Sequence, residues 1–555
     1  MIKKIVSIFI AVLMIALLAV GCKTNGDTLK TQVNVNDTAG TTSQQSKNDD
    51  LKKEIKEIVM CESSDFSGGF STFLTTKGVG FMYYFGNFYE TLINYDNGKI
   101  EPGLAESWEV NNNEITFYLR EGVKFSDGSD FNAEVVKVTF EMIPKVLGEQ
   151  YANNFGVLSK LEEVEVIDNY TVKLKLSEPY YAALQELTMV RPMAMISLNA
   201  FTEEGLSDET YSKTFGTGPY MLESFVEGQE YTFVRNDNYW GEQPAVEQFV
   251  VKVIPDMESR IMALRSGEID IVVGSNKITY DAFSEFKNGD KFTAKVSESI
   301  VKTRDVLLNT TKEPFDNKKV RLAVQYAVDK QSICDNVLYG IEEKADYFLN
   351  FRLPYCEVNI EPYVYNKREA EELLEAAGWL KVEGSDIRKK DGQNLEAEIL
   401  FRTGKGVEED IALTLAAQLR EVGFDIKATG LELLNWCGKA AQGKFVMSIS
   451  ETYGIPYDPY TIMRYMSGCS PDNAAQQGLS NKTEIDLQIS KLSNIIDEVK
   501  IQEIYDYILI TLHEEGVTVP ISYMKELVIY NNEKIKEYKF NGQPTNIHVS
   551  GIVPN

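Results

Sequence analysis

Histidine is nearly missing from this chain: His513 and His548 are the only two in 555 residues. A bare divalent metal that prefers imidazole needs several nitrogens, and two histidines do not supply them. His513-Glu514 begins the HExxH pattern of a zinc protease, but Val517 stands where the second histidine belongs, so that chemistry is excluded. No P-loop, GxSxG elbow or GxGxxG opening a helix occurs, which removes the common signatures of nucleotide-dependent and serine-hydrolase enzymes. Cysteine is sparse as well. Beyond Cys22, the five at Cys61, Cys334, Cys356, Cys437 and Cys469 are odd in number and show no CxxC spacing. That pattern excludes a disulfide framework and a zinc knot. It leaves single buried thiols as the expectation, with Cys437 and Cys469 as the one pair to consider. Positive charge is also short, with 56 basic against 83 acidic residues and a formal charge of −27. Nucleic acid and anionic membrane surfaces are therefore poor partners.

What is present begins at the N-terminus. Lys3 and Lys4 precede a largely apolar run from Ile5 to Val20, followed by Gly21-Cys22. A short positive region, an apolar core and a small residue at the cut site describe a secretory signal peptide over residues 1–21. The run is shorter than a mature membrane-spanning helix needs, and no second run approaches that length. Ala19-Val20-Gly21-Cys22 resembles a bacterial lipobox, with Ala19 in place of the commoner leucine. The resemblance implies that Cys22 is acylated and that the body lies outside the cytoplasm, anchored to the cell membrane. Residues 22–54 then form a tether, because a stretch so rich in Thr, Asn, Gln, Ser and Asp buries too little surface to offset its ordering entropy.

The remaining 500 or so residues suggest two or three domains. Ile115, Phe117 and Leu119 alternate with polar residues, as do Val172, Leu174 and Leu176, which predicts two half-buried strands. Met257, Ile261 and Leu264 share a helical face, Gly267 stops that helix, and Ile269 to Val273 is a short apolar strand. Val320, Val324 and Val328 predict another helix. A strand from Leu395 to Phe401, a helix with Ile411, Leu415 and Leu419 inward, and a strand from about Asp425 complete an alternation that argues α/β architecture.

Several motifs carry a specific resemblance. Ile100-Glu-Pro-Gly-Leu-Ala-Glu-Ser-Trp108, Leu119-Arg-Glu-Gly-Val-Lys-Phe-Ser-Asp-Gly128 and Phe131-Asn-Ala-Glu134 resemble the signature of family 5 extracellular solute-binding proteins, with Val135 where aspartate is usual. Gly216-Thr-Gly-Pro-Tyr220, Arg235-Asn-Asp-Asn-Tyr-Trp-Gly241, Val253-Ile-Pro-Asp256 and Ser266-Gly-Glu-Ile-Asp270 follow in order. The resemblance spans residues 55 to 555. It implies the two-lobed periplasmic-binding-protein fold of the large cluster C type, with a hinge and an interlobe cleft. Lobe I would be residues 55–300 with a returning tail 524–555, and lobe II residues 301–523. It also implies no catalysis and no cofactor, a monomer, and partnership with the permease and ATPase of an ABC importer.

Within the family, Pro179-Tyr-Tyr181, Gln185-Glu-Leu187, Arg191-Pro192, Glu451-Thr-Tyr-Gly-Ile-Pro-Tyr-Asp-Pro459, Ala475-Gln-Gln-Gly-Leu479 and the run from Leu512 to Tyr523 resemble the nickel-binding branch. Transport of a nickel chelate is then implied, with a di- or oligopeptide ligand as the alternative. Residue by residue, Arg191 matches an arginine that grips chelator carboxylates, a task suited to a planar guanidinium. Tyr453 and Tyr457 match an aromatic pair lining the cleft, and Met82 a lining methionine. By residue type alone, Arg191 reads as a surface ion-pair partner, and the other three equally as core packing. Two groups of the branch are missing. Its second arginine falls near Tyr151 and a neighbouring aromatic near Asn154 or Phe155. Its metal-touching histidine falls at Ser470 or Pro471, beside Cys469, whose thiolate is the candidate metal ligand. His513 lies in a shared helix motif and reads as structural.

Overall fold

A computed structural model describes residues 54–555 apart from 67, 75–79, 97, 153, 276, 455, 544 and 545. The signal peptide, Cys22 and the tether lie outside the described residues. The apolar alternations become the strands Glu114–Leu119 and Thr171–Leu176, paired antiparallel in a four-stranded sheet with Ala105–Asn111 and Leu161–Asp168. A second four-stranded sheet joins Ile55–Glu62, Val246–Val253, Glu230–Arg235 and Tyr220–Val226. These two sheets and the helix Ala133–Leu147 enclose a first core rich in aromatics, in which Phe66, Phe81, Phe88, Phe233 and Phe249 pack ring against ring.

The helix Met257–Ser266 ends on Gly267 in the left-handed conformation, and the predicted strand over 269–273 appears as Ile271–Val273. The other expected elements appear as Lys318–Ala327, Glu396–Arg402, Glu408–Arg420 and Asp425–Leu431. A seven-stranded sheet organises this half. Its order is Ile271–Val273, Thr518–Asn531, Phe292–Leu308, Met447–Glu451, Glu396–Arg402 and Asp425–Leu431, with Glu343–Lys344 added on Thr518–Asn531. Ile399 and Phe401 point to a second core and Leu400 to a third, as the two-residue period of a strand requires.

The same period links the halves. Ile271, Val273, Val528 and Tyr530 enter the first core, while Val272, Leu527 and Ile529 enter the second. Residues 261–286, which the sequence placed with lobe I, pack mostly in the second core alongside residues 306–424. Amphipathic spacing shows that a helix has a buried face but not which core receives it. The long strands Phe292–Leu308 and Thr518–Asn531 pair antiparallel with register breaks around Ile300, where Ile300, Tyr523 and Ala345 form a small cluster of their own.

Candidate functional site

The three parallel strands of the second half define a crevice. From Glu396–Arg402 the chain crosses through the helix Glu408–Arg420, packed in the second core, to Asp425–Leu431 on one side. It then returns through the helix Leu433–Ala441, packed in the third core, to Met447–Glu451 on the other side. Successive connections therefore leave Glu396–Arg402 on opposite faces, which makes its carboxyl end a topological switch point, the place where open α/β sheets take ligands. Arg402 and Glu451 stand at that end.

A dense charged cluster is built there. Arg304 lies opposite Glu451 in the strand register. Arg402 Nη1 is 2.9 Å from Glu451 Oε1, Lys405 Nζ is 3.3 Å from the same oxygen, and Lys302 Nζ is 3.9 Å from Oε2. Arg304 pairs with Glu342 at 2.9 Å, and Arg402 Nε donates to Glu408 at 2.8 Å. Burial by itself would raise the Glu451 carboxyl, but Lys302, Lys405, Arg402 and Arg304 together hold it well below the usual carboxylate range. Burial depresses the Lys302 ammonium against the opposing pull of Glu451. Asp458, buried nearby, is pushed up to about 6. Composition offered no signal for this cluster, since its members come from segments far apart in the sequence.

The sequence-predicted residues gather around the opposing wall. Arg191 sits in the turn Val190–Met193 with extended backbone angles, and its Nη1 is 3.6 Å from Met82 Sδ. Met82 and Tyr83 lie on the short helix Gly80–Asn87, against the first core. Burial raises the pKa of the Tyr83 phenol, with Glu451 adding to the rise and Arg402 opposing it, so this helix faces the charged cluster. Lys277 Nζ lies 4.6 Å above the Tyr83 ring. From the second half, Tyr457 packs on the first core, and Tyr453 packs on the third with its ring 5.0 Å from that of Tyr465. Gln185 Nε2 donates to Pro456 O at 2.9 Å and the Tyr181 and Tyr505 hydroxyls meet at 3.0 Å, so the two walls touch. Beside them lies a cavity of about 610 Å³, lined among others by Asn154, Tyr181, Tyr460, Arg464 and Tyr465. Of the two positions matched to the neighbouring aromatic, Asn154 opens onto this free space and Phe155 is buried in the first core. The side chain of Tyr151 lies outside the described residues.

The metal candidates sit differently. Cys469 is a half-buried free thiol, and among the described residues no group of three or more His, Cys, Asp or Glu could hold a metal ion. Cys437 is buried and unpaired, its thiol pushed up by burial to about 11, so the Cys437–Cys469 pair does not form. Ser470 caps the helix Pro471–Gln476, its Oγ accepting from Asn473 N at 3.0 Å and donating to Tyr465 O at 2.7 Å. Serine before proline at the first helical position is a cap signal legible in sequence. His513 stacks on Tyr363 at 4.5 Å with its Nε2 3.0 Å from Glu361 O, and His548 meets Asn546 at 3.0 Å. Both imidazoles are engaged in packing.

Comparison with known proteins identifies the family and the fold. The family model "Bacterial extracellular solute-binding proteins, family 5 Middle" matches residues 99–474. The nickel-binding periplasmic protein of Escherichia coli (strain K12) is 34% identical over 450 residues, which cover 80% of this chain and 85% of the relative. The crystal structure of NikA from Brucella suis in complex with Fe(III)-EDTA matches with a TM-score of 0.85 at 33% identity, over 90% of this chain and all of that one. The oligopeptide-binding protein AppA of Bacillus subtilis (strain 168) is 27% identical over 355 residues, covering 62% of this chain and 63% of the relative.

Proposed function

Because this chain belongs to the family 5 bacterial extracellular solute-binding proteins, we propose that it captures nickel as a small-molecule chelate and delivers it to an ABC importer. Proteins of this family bind small ligands and work with a permease and an ATPase. Closure of the two walls on the ligand would present the shape that the permease reads, with no chemistry on the ligand. The observation that carries the reading is the Arg191 guanidinium beside Met82, in a cleft whose other wall brings Tyr453 and Tyr457. This set suits a complex that brings its own metal donors and presents carboxylates outward, since arginine binds carboxylate through a planar fork and aromatic walls exclude water. The nickel-binding and Fe(III)-EDTA-bound relatives support it. Cys469 is the alternative metal ligand, to be weighed against a chelate that brings all its own donors.

Calorimetry on protein unfolded and refolded free of ligand tests the reading. Nickel chloride in a non-chelating buffer is expected to bind weakly, and nickel with free histidine or a tricarboxylate to bind tightly. Tight binding of the bare salt, lost in Cys469→Ser, would instead make Cys469 a ligand and remove the chelate. The 610 Å³ cavity favours a second reading, because it lies within the size range of ligand pockets and is lined by polar and aromatic side chains alike. A short peptide would fill it, and a di- and oligopeptide panel in the same calorimeter separates the two. We further propose that the protein acts as a monomer tethered through acylated Cys22. Release of Cys22→Ser protein from the membrane fraction checks the tether, since acyl chains supply the attachment.

A further inference from the structure

We propose that Tyr181, seconded by Lys160, is a latch between the two halves. It bonds them in the closed state without touching the ligand, and so sets the affinity for every ligand by one common factor. The inference rests on the reading that the two walls close on a chelate, and adds which bonds of the chain itself favour closure.

Tyr181 belongs to the first half by chain position, just after the strand Thr171–Leu176, yet it packs against the first core and the third alike. Its ring sits in a socket of three tyrosines from the second half, with centroids 5.5 Å from Tyr460 and 6.4 Å from both Tyr355 and Tyr505. Its hydroxyl meets that of Tyr505 at 3.0 Å. The socket is ordered by its own half. Tyr355 and Tyr505 pack at 5.2 Å, Tyr355 Oη donates to Glu498 at 2.5 Å, and Tyr505 is fully buried on the helix Glu498–Glu515. The knob is ordered by the other half, because Tyr180 stands edge-on to it at 5.7 Å and donates to buried Glu186 at 2.7 Å. Two surfaces fixed in advance lose little side-chain freedom when they meet, so most of the contact's strength is left for closure.

Lys160 supplies a second point on the same edge. Its carbonyl accepts from Ser177 N at 2.7 Å and its ammonium is paired with Glu178, both within the first half. From there the ammonium donates to Asn494 Oδ1 at 3.0 Å, in the turn that follows the second-half helix Lys482–Leu492. With the bond from Gln185 to Pro456, the first-half members all fall within residues 160–185. The Tyr181 and Lys160 bonds are made by atoms other than those of Arg191, Met82, Tyr453 and Tyr457, which are read as facing the ligand. Contacts that exist only in the closed state multiply the closing equilibrium whatever ligand is present, and apparent affinity scales with the population able to close.

Calorimetry and stopped-flow dissociation decide it, on wild type, Tyr181→Ala, Tyr181→Phe and Asn494→Ala. The probes are a nickel tricarboxylate chelate and nickel bis-histidine. Tyr181→Ala is expected to weaken both chelates about 10-fold, since it removes the ring contacts to the socket and a hydroxyl bond. Tyr181→Phe, which keeps the ring, should weaken both about threefold. Asn494→Ala should weaken both about threefold or less, because its bond to Lys160 is exposed. In each variant the factor should be the same for the two chelates and should appear as faster dissociation. A loss confined to one chelate would make Tyr181 a ligand contact, and no loss in folded Tyr181→Ala would make it packing. Either result overturns the latch while leaving the chelate reading intact. If Tyr181→Ala does not fold, Tyr181→Phe and Asn494→Ala carry the same comparison. Wild type that binds neither chelate would remove the underlying reading and this proposal together.

Discussion

Two buried glutamates, one in each half, show how differently the two walls handle charge. Glu90 in the first half accepts hydrogen bonds from Thr217 Oγ1 at 2.7 Å and Trp240 Nε1 at 2.8 Å, and burial outweighs both and pushes it up to about 7. Arg120, stacked 4.6 Å over Trp240, lies one step further out. Glu451 in the second half is surrounded by four cations and stays ionised. The first arrangement is a scaffold: Thr217, Trp240 and Arg120 all belong to the motifs that mark the family, and those motifs meet at Glu90. The second keeps full charge at the mouth of a crevice and leaves lysine donors open. The motifs that mark the family thus converge on Glu90, whereas Glu451, itself part of the Glu451–Pro459 motif, gathers Lys302, Arg304, Arg402 and Lys405 from outside the motifs.

The comparison can be broken from its strongest side. Glu451→Gln should cost about 3–5 kcal/mol of stability, because it strands Lys302, Lys405 and part of Arg402 without a counter-charge. Glu90→Gln should stay within about 1 kcal/mol, since an amide oxygen can still accept from Thr217 and Trp240. Urea denaturation of both variants checks the pair, and equal costs would erase the distinction. Arg191→Ala should lower chelate affinity by about 30-fold to several-thousand-fold, equivalent to about 2–5 kcal/mol, with partial recovery in Arg191→Lys because ammonium lacks the fork. Normal binding by a folded alanine variant would reduce Arg191 to packing.

Gly216→Ala tests the scaffold side. A Cβ there would stand 1.9 Å from Phe88 O, so the Thr217 motif could no longer press against the strand of residues leading to Glu90. The expected cost is about 1–3 kcal/mol in the urea midpoint, with chelate affinity unchanged in the folded fraction. Glu526 sharpens the comparison as a third case. It is buried with Oε2 unbonded and is pushed by burial alone to about 8. Its folded pKa is raised above that of the unfolded chain, so the native state binds the extra proton. Stability is fully present below the ordinary glutamate value of 4.5 and falls as pH rises through about 8. Glu526→Gln should therefore raise the urea midpoint above pH 8 and leave it unchanged near pH 4. A gain at both pH values would mean a packing effect instead.

The sequence made the alternating strands 114–119 and 171–176 visible because one face of each is buried and the period is two. It did not show which core receives residues 261–286, since their helices show an apolar face without naming its partner. Arg191 and Met82, read from separate motifs, come within 3.6 Å of one another. Lys302 and Lys405 escaped notice because a charged residue in a strand or loop reads as solvated until its partner Glu451 is known. Ser470 held a readable cap signal that the search for a metal-touching side chain passed over.

The central claim is that the two walls grip one ligand, Arg191 from one side and the second half from the other. Small-angle scattering of refolded, ligand-free protein, with and without saturating nickel tricarboxylate chelate, measures it most directly. The account predicts a smaller radius of gyration with the chelate and none of that contraction in Arg191→Ala. An unchanged radius, with binding confirmed by calorimetry in the same sample, would contradict it.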